Sequence, residues 1–191
     1  MEKKLNEYLR EGERIRWQSQ TEDFPLMDNG SKMRILWKWA LTLIIGGGLL
    51  IAHIATQAEI RMSFVGIVLV CMAVVAVTPF FERNGLRKSR YWITDQRVIQ
   101  MTKDKIFYYM DLEDVDRFEI MSDLTVKDCL AVGSAVFEEA KKYPRWRASH
   151  PMEDPEAMKN RDHVDGMLMY NIANASAAAA LLKELGHRRA A

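Results

Sequence analysis

Six side chains between positions 150 and 165 are of the types that bind a divalent metal or move a proton: His150, Glu153, Asp154, Asp162, His163 and Asp165. Imidazole and carboxylate together suit Zn²⁺ or Mn²⁺. Their spacing matches no established site. His163 and Asp165 are separated by one residue and converge only in a turn or a strand, and the chain contains no HExxH or CxxC array. It also lacks a Gly-rich phosphate loop, a nucleophile elbow and a Ser/His/Asp order. A solvated, charge-rich loop is the simpler reading and a metal-dependent membrane-bound hydrolase the alternative. The sequence therefore assigns no catalytic residue, no cofactor and no metal site.

Just upstream, Lys141, Lys142, Tyr143, Arg145, Trp146 and Arg147 mix cations with two amphipathic aromatics around Pro144. Such rings hold an apolar body and a polar tip, and long basic side chains bury their stems while their charge stays wet, a combination favoured at membrane interfaces. These six are the candidate contact with membrane or partner. An anionic-lipid sensor is a further alternative that they raise.

The elements that must position these residues start with two apolar stretches, Trp39 to Thr56 and Met62 to Phe81. Each is close to the ~20 residues that cross ~30 Å of hydrocarbon. The linker Gln57 to Arg61 is too short for a domain, so the two helices are expected to be antiparallel neighbours. Gly48, Ala52 and Thr56 form a small-xxx-small row that Gly66, Ala73 and Ala76 could face, making Gly48, Ala52, Gly66 and Ala73 the candidate helix-packing residues. His53 is expected near the interface, and Pro79 at a kink or exit. Lys32, Arg34 and Lys38 precede the hairpin and Arg83, Arg87, Lys88 and Arg90 follow it, while Arg61 alone lies in the loop. The positive-inside rule then puts both termini in the cytoplasm. Cys71 and Cys129 are expected as free thiols.

The 191 residues carry a formal charge of +1, which argues against a nucleic-acid partner. Residues 1–34 are expected as a cytoplasmic segment, with a short helix ending at Gly12 and a connector through Pro25 and Gly30. Residues 35–82 form the hairpin. Beyond Arg90 the period changes to that of strands: Tyr91 to Thr94, Arg97 to Lys103 and Lys105 to Asp111 read as a meander. Val115 to Met121, Leu124 to Asp128 and Gly133 to Phe137 extend the pattern. A long polar insertion, 140–165, precedes a last strand, Gly166 to Tyr170. A final helix is expected after Asn174, with an apolar stripe of Ala178, Leu181, Leu182 and Leu185 and a stop at Gly186.

Tyr91-Trp92-Ile93-Thr94-Asp95-Gln96-Arg97 resembles the first hairpin of the bacterial membrane-associated PH-like (pleckstrin-homology-like) family, which carries a Tyr-x-Leu/Ile-Thr-Asp/Asn-x-Arg segment after a membrane hairpin. Leu9, Gly12, Glu13, Ile15 and Trp17 are similar to its N-terminal motif, Gly133 to Val136 to its central strand, and Tyr170 to Ala175 to the lead into its last helix. The resemblance implies a two-helix transmembrane hairpin plus a mainly-β PH-like barrel over 90–187, capped by a C-terminal α-helix. It implies a non-catalytic interaction module at a bacterial cell membrane, with the lipid bilayer, another membrane protein or a second copy as partners. The insertion is longer than that pattern leads one to expect.

Overall fold

The computed structural model describes residues 2–56, 61–153 and 162–190. Two long helices, α2 (Lys32–Thr56) and α3 (Met62–Leu86), pack side by side. Only 11% of the apolar window in each is buried, against the mostly buried core helix of a soluble protein. Leu43, Ile44, Ile51, Val70 and Val74 face outward without cover. Inside hydrocarbon every polar group needs an internal partner, and Thr42, Thr56 and Thr78 meet this by donating to the carbonyls of Lys38, Ala52 and Val74. Both helices exceed their apolar stretches, and α3 continues through Pro79 to Leu86.

The rest is a β domain whose first strand precedes the hairpin. β1 (Ile15–Gln20) is an edge strand, not the plain connector expected there, and it pairs antiparallel with β2 (Arg90–Thr94). β3 (Arg97–Met101) and β4 (Phe107–Asp111) complete a four-stranded antiparallel sheet in the order β1-β2-β3-β4, as the meander pattern predicts. A second four-stranded sheet contains β5 (Phe118–Met121), β6 (Cys129–Val132), β7 (Met152–Glu153) and β8 (Val164–Met169), in the order β5-β6-β8-β7. Neither sheet closes on itself. Isolated bridges at Thr21 to Ile172 and Tyr109 to His163 tie one sheet to the other.

The main core lies between the sheets. Tyr91, Ile93, Val98 and Met110 meet Leu130, Val132, Met167 and Met169, and the C-terminal helix α6 (Ala175–Ala190) adds Ala178, Leu182 and Leu185. That is the expected stripe, with Leu181 only partly buried against it. Gly186 does not stop the helix; a glycine in an exposed helix costs only about 1 kcal/mol relative to Ala. The outer face of the first sheet is covered by α1 (Glu2–Tyr8), through Leu5 on Trp92, Ile99 and Met101.

The outer face of the second sheet is covered by two short helices, α4 (Phe137–Lys142) and α5 (Pro144–Ser149). This corrects the expectation of a solvated loop from position 140. Phe137, Ala140, Pro144 and Ala148 are buried at helical spacing. Two expected strand segments also fail. Leu124 to Asp128 is irregular, and Gly133 (φ +88°) turns β6 into a 3-10 turn at Ser134–Val136. A Cβ at Gly133 would overlap the Asp165 carbonyl, so this close approach of β6 to β8 requires glycine.

Candidate functional site

The hairpin meets the β domain at a joint built from a buried ion pair. Asp28 precedes α2 and its Oδ1 accepts the Ser31 amide at 3.0 Å, while its carbonyl accepts the Lys32 amide at 2.8 Å. An aspartate ahead of a helix satisfies otherwise orphaned N–H groups in this way. Its second oxygen, Oδ2, faces Arg145 of α5, with Nη2 at 3.3 Å, and accepts the Tyr170 hydroxyl. Both members of the pair are almost fully buried, with side chains 3% and 0% exposed. Arg145 also donates to the carbonyls of Pro25 and Leu26 and stacks over Phe24. From α3, Arg83 Nε donates to the Phe24 carbonyl at 2.6 Å. Burial, then the adjacent Asp28 carboxylate, pushes the Tyr170 hydroxyl far up, so it stays a donor.

Arg145 is therefore not a surface contact. This corrects its place among the six predicted residues: its charge is committed to Asp28, 117 positions away. Arg147 is ion-paired with Glu139 and lies 4.0 Å over the Trp146 ring. Lys141, Lys142, Tyr143 and Trp146 are exposed. Trp146 stacks on His150 at 5.3 Å. Arg34, in the first turn of α2, lies 4.3 Å over the Tyr143 ring and donates to the Lys142 carbonyl. The exposed residues thus sit against the root of the hairpin, a placement that residue types alone did not show.

Helix packing also differs from the predicted row. Gly48 and Gly66 have open space where a Cβ would stand, and Ala52 and Ala73 are exposed. The close approach is at Gly46, where a Cβ would overlap Met72, and the Trp39 indole donates to the Ala76 carbonyl at 3.2 Å. His53, in the last turn of α2, lies on Phe64 with ring centroids 4.5 Å apart.

A second buried ion pair anchors the N-terminal segment. Arg97 Nε and Nη2 reach Glu13 Oε1 and Oε2 at 2.9 and 3.0 Å, and the Thr94 hydroxyl donates to Glu13 at 2.7 Å. The guanidinium also donates to the Tyr8 carbonyl and faces both the Tyr8 and Tyr109 rings, 4.8 and 4.9 Å from their centroids. Burial alone would raise the Glu13 carboxyl, but the hydrogen bonds from Arg97, the Arg10 amide and Thr94 together outweigh it and hold it below the usual carboxylate range.

Of the metal-type residues, His163 Nε2 lies 3.0 Å from Asp114, and Asp111 completes a group whose ligand atoms fall within 4.8 Å of one another. Asp111 and Asp114 lie outside the predicted cluster. Asp111 also accepts both Arg10 Nη atoms, at 2.7 and 3.2 Å, so Arg10 competes with any cation for its oxygens. His150 follows the last residue of α5 and is not part of this group, and Asp154 lies outside the described residues. A cleft of about 270 Å³ beside α1 is floored by Trp92, Met101 and Phe107 and edged by Gln18, Gln20 and Arg90. No carboxylate, imidazole or thiol is among its lining residues. No family model, curated protein or solved structure matches the chain.

Proposed function

We propose that this chain is a non-catalytic, membrane-anchored interaction module: a PH-like domain held by a multi-pass hairpin at the cytoplasmic face of a bacterial cell membrane, serving as an adaptor or an assembly or regulatory factor. Its partner is another membrane protein or a second copy of itself. The observation that carries the reading is the Glu13–Arg97–Thr94 network. It joins two of the four sequence stretches of the PH-like resemblance, which the pairing of β1 with β2 brings together. Two packed antiparallel sheets with a C-terminal helix at their side support the same family. The pairing of β1 with β2 also supports termini on one side of the bilayer, since those strands flank the two spans.

Crosslinking mass spectrometry on native membranes is the test. A recurrent membrane-protein partner, or a second copy, attached through the β domain is expected; a domain that crosslinks to nothing in membranes containing it would overturn the reading. For topology, Ser63→Cys at the hairpin turn is expected to react with an impermeant thiol reagent on intact cells, whereas Ser149→Cys is protected. A metal-dependent hydrolase is the second reading, favoured by the Asp111, Asp114 and His163 group. Stoichiometric metal in the purified protein, lost in His163→Ala, would support it against the first.

A further inference from the structure

Counting about 20 residues back from Thr56 puts the hydrocarbon boundary of α2 near Trp37. Arg34 is one turn further out, about 4.5 Å along the axis. The same count along α3 from Met62 ends at Phe81, just ahead of Arg83. A headgroup layer is roughly 5–8 Å deep on each side of the hydrocarbon, so Arg34 falls within it. The Tyr143 ring and the Lys142 carbonyl, which Arg34 touches, share that depth.

The four cations of the segment then sort by what holds them. Arg145 is neutralised by Asp28 and Arg147 by Glu139. Among the described residues no ion pair holds Lys141 or Lys142. We propose that Lys141, Lys142, Tyr143 and Trp146, together with Arg34, form a footprint for the headgroups of anionic phospholipids in the leaflet that the hairpin enters. The surface continues the root of the spans, its charge is complementary to an anionic leaflet, and its aromatics suit the interfacial layer. Arg145 and Arg147 hold the platform rigid instead of touching lipid. The inference rests on the membrane reading of α2 and α3 and names the ligand of the patch beside them.

The test uses the full-length protein in nanodiscs of phosphatidylcholine alone or with phosphatidylglycerol. Spin labels are placed singly on native Cys71, which is exposed on α3, on Trp146→Cys and on Lys183→Cys, the last two with Cys71→Ala. Accessibility to oxygen and to a water-soluble nickel chelate reports depth. With phosphatidylglycerol present, the label at position 146 is expected to lose most of its nickel accessibility relative to position 183. Each lysine beside an anionic surface multiplies residence about fivefold, so Lys141→Ala with Lys142→Ala is expected to reduce it about 25-fold and restore accessibility. High salt acts in the same direction. A label at 146 that remains as wet as that at 183, while Cys71 is in lipid, overturns the footprint and leaves the membrane reading intact. A nickel-accessible Cys71 overturns both. Lysine substitutions that leave the depth at 146 unchanged but abolish a native protein crosslink overturn the footprint in favour of an acidic protein partner.

Discussion

The two buried arginines perform different tasks with the same chemistry. Arg97 grips Glu13 with two parallel hydrogen bonds and faces two tyrosine rings, and it ties the N-terminal segment to the first sheet. Arg145 reaches Asp28 at longer distances, and its Nη1 is buried with no hydrogen-bond partner among the described residues. A buried ion pair offsets its desolvation only when the geometry is good and the remaining groups are satisfied. By that criterion the Glu13 pair belongs to a finished core, whereas the Asp28 pair is a fastening between two parts, the hairpin and the domain.

The comparison breaks most decisively at Arg97. Arg97→Met leaves Glu13 buried without its partner, and a loss of about 3–5 kcal/mol of domain stability is expected. Burial pushes the Cys129 thiol up to about 11, leaving it inert to alkylation near neutral pH while the domain is folded. The rate of Cys129 alkylation in denaturant therefore measures the loss. Equal reactivity of wild type and variant would refute the assignment. Arg145→Met is expected to cost less, about 1–3 kcal/mol, because its contacts with Asp28 are longer, at 3.3 and 3.4 Å, and its Nη1 is already unpaired. Its signature should be faster proteolysis between Thr21 and Gly30, with Cys129 still protected. Early exposure of Cys129 would show that the joint and the core are one unit.

Acid sharpens the contrast further. The folded-state pKa of Glu13 is lowered, so its contribution is fully present above the ordinary value of 4.5 and is lost as pH falls below that toward the folded-state value. Glu13→Gln is expected to flatten the acid limb of the stability profile below that pH, read by the same alkylation in urea. The smallest effect is expected from Arg34→Ala, about 0.5–1 kcal/mol for an exposed cation–π contact. A slight rise in cleavage between Thr21 and Gly30 would report it.

How much of this was legible depended on the range of the interactions involved. The hairpin, the meander from β2 to β4 and the stripe of α6 rest on local periodicity, and the sequence showed all three. β1 was harder because only Ile15 and Trp17 are apolar in its six residues, and its pairing partner lies beyond both long helices. α4 and α5 were missed because Lys141, Lys142, Arg145 and Arg147 make the segment look solvated. The helical spacing of Phe137, Ala140, Pro144 and Ala148 was the available signal. Asp28 lies within the stretch expected as a connector, although its place before an apolar run also marks a helix start. Nothing local links Asp28 to Arg145. The row of small residues misled because Gly48 and Gly66 were weighed by type, whereas the close approach depends on which helix face is turned inward, and that face carries Gly46.

The connection between β1 and β2 contains the whole hairpin, and this sets an order of events at synthesis. β1 leaves the ribosome before either long helix, and its pairing partner emerges only after both. In the membrane reading, the first sheet can gain its edge only once the chain has crossed the bilayer and come back. A protein whose second helix stalls would hold β1 and β2 on opposite sides, with Glu13 and Arg97 never meeting. Closure of the β domain is then a built-in check on correct insertion, and failed molecules would display an open sheet edge to whatever quality-control machinery recognises one.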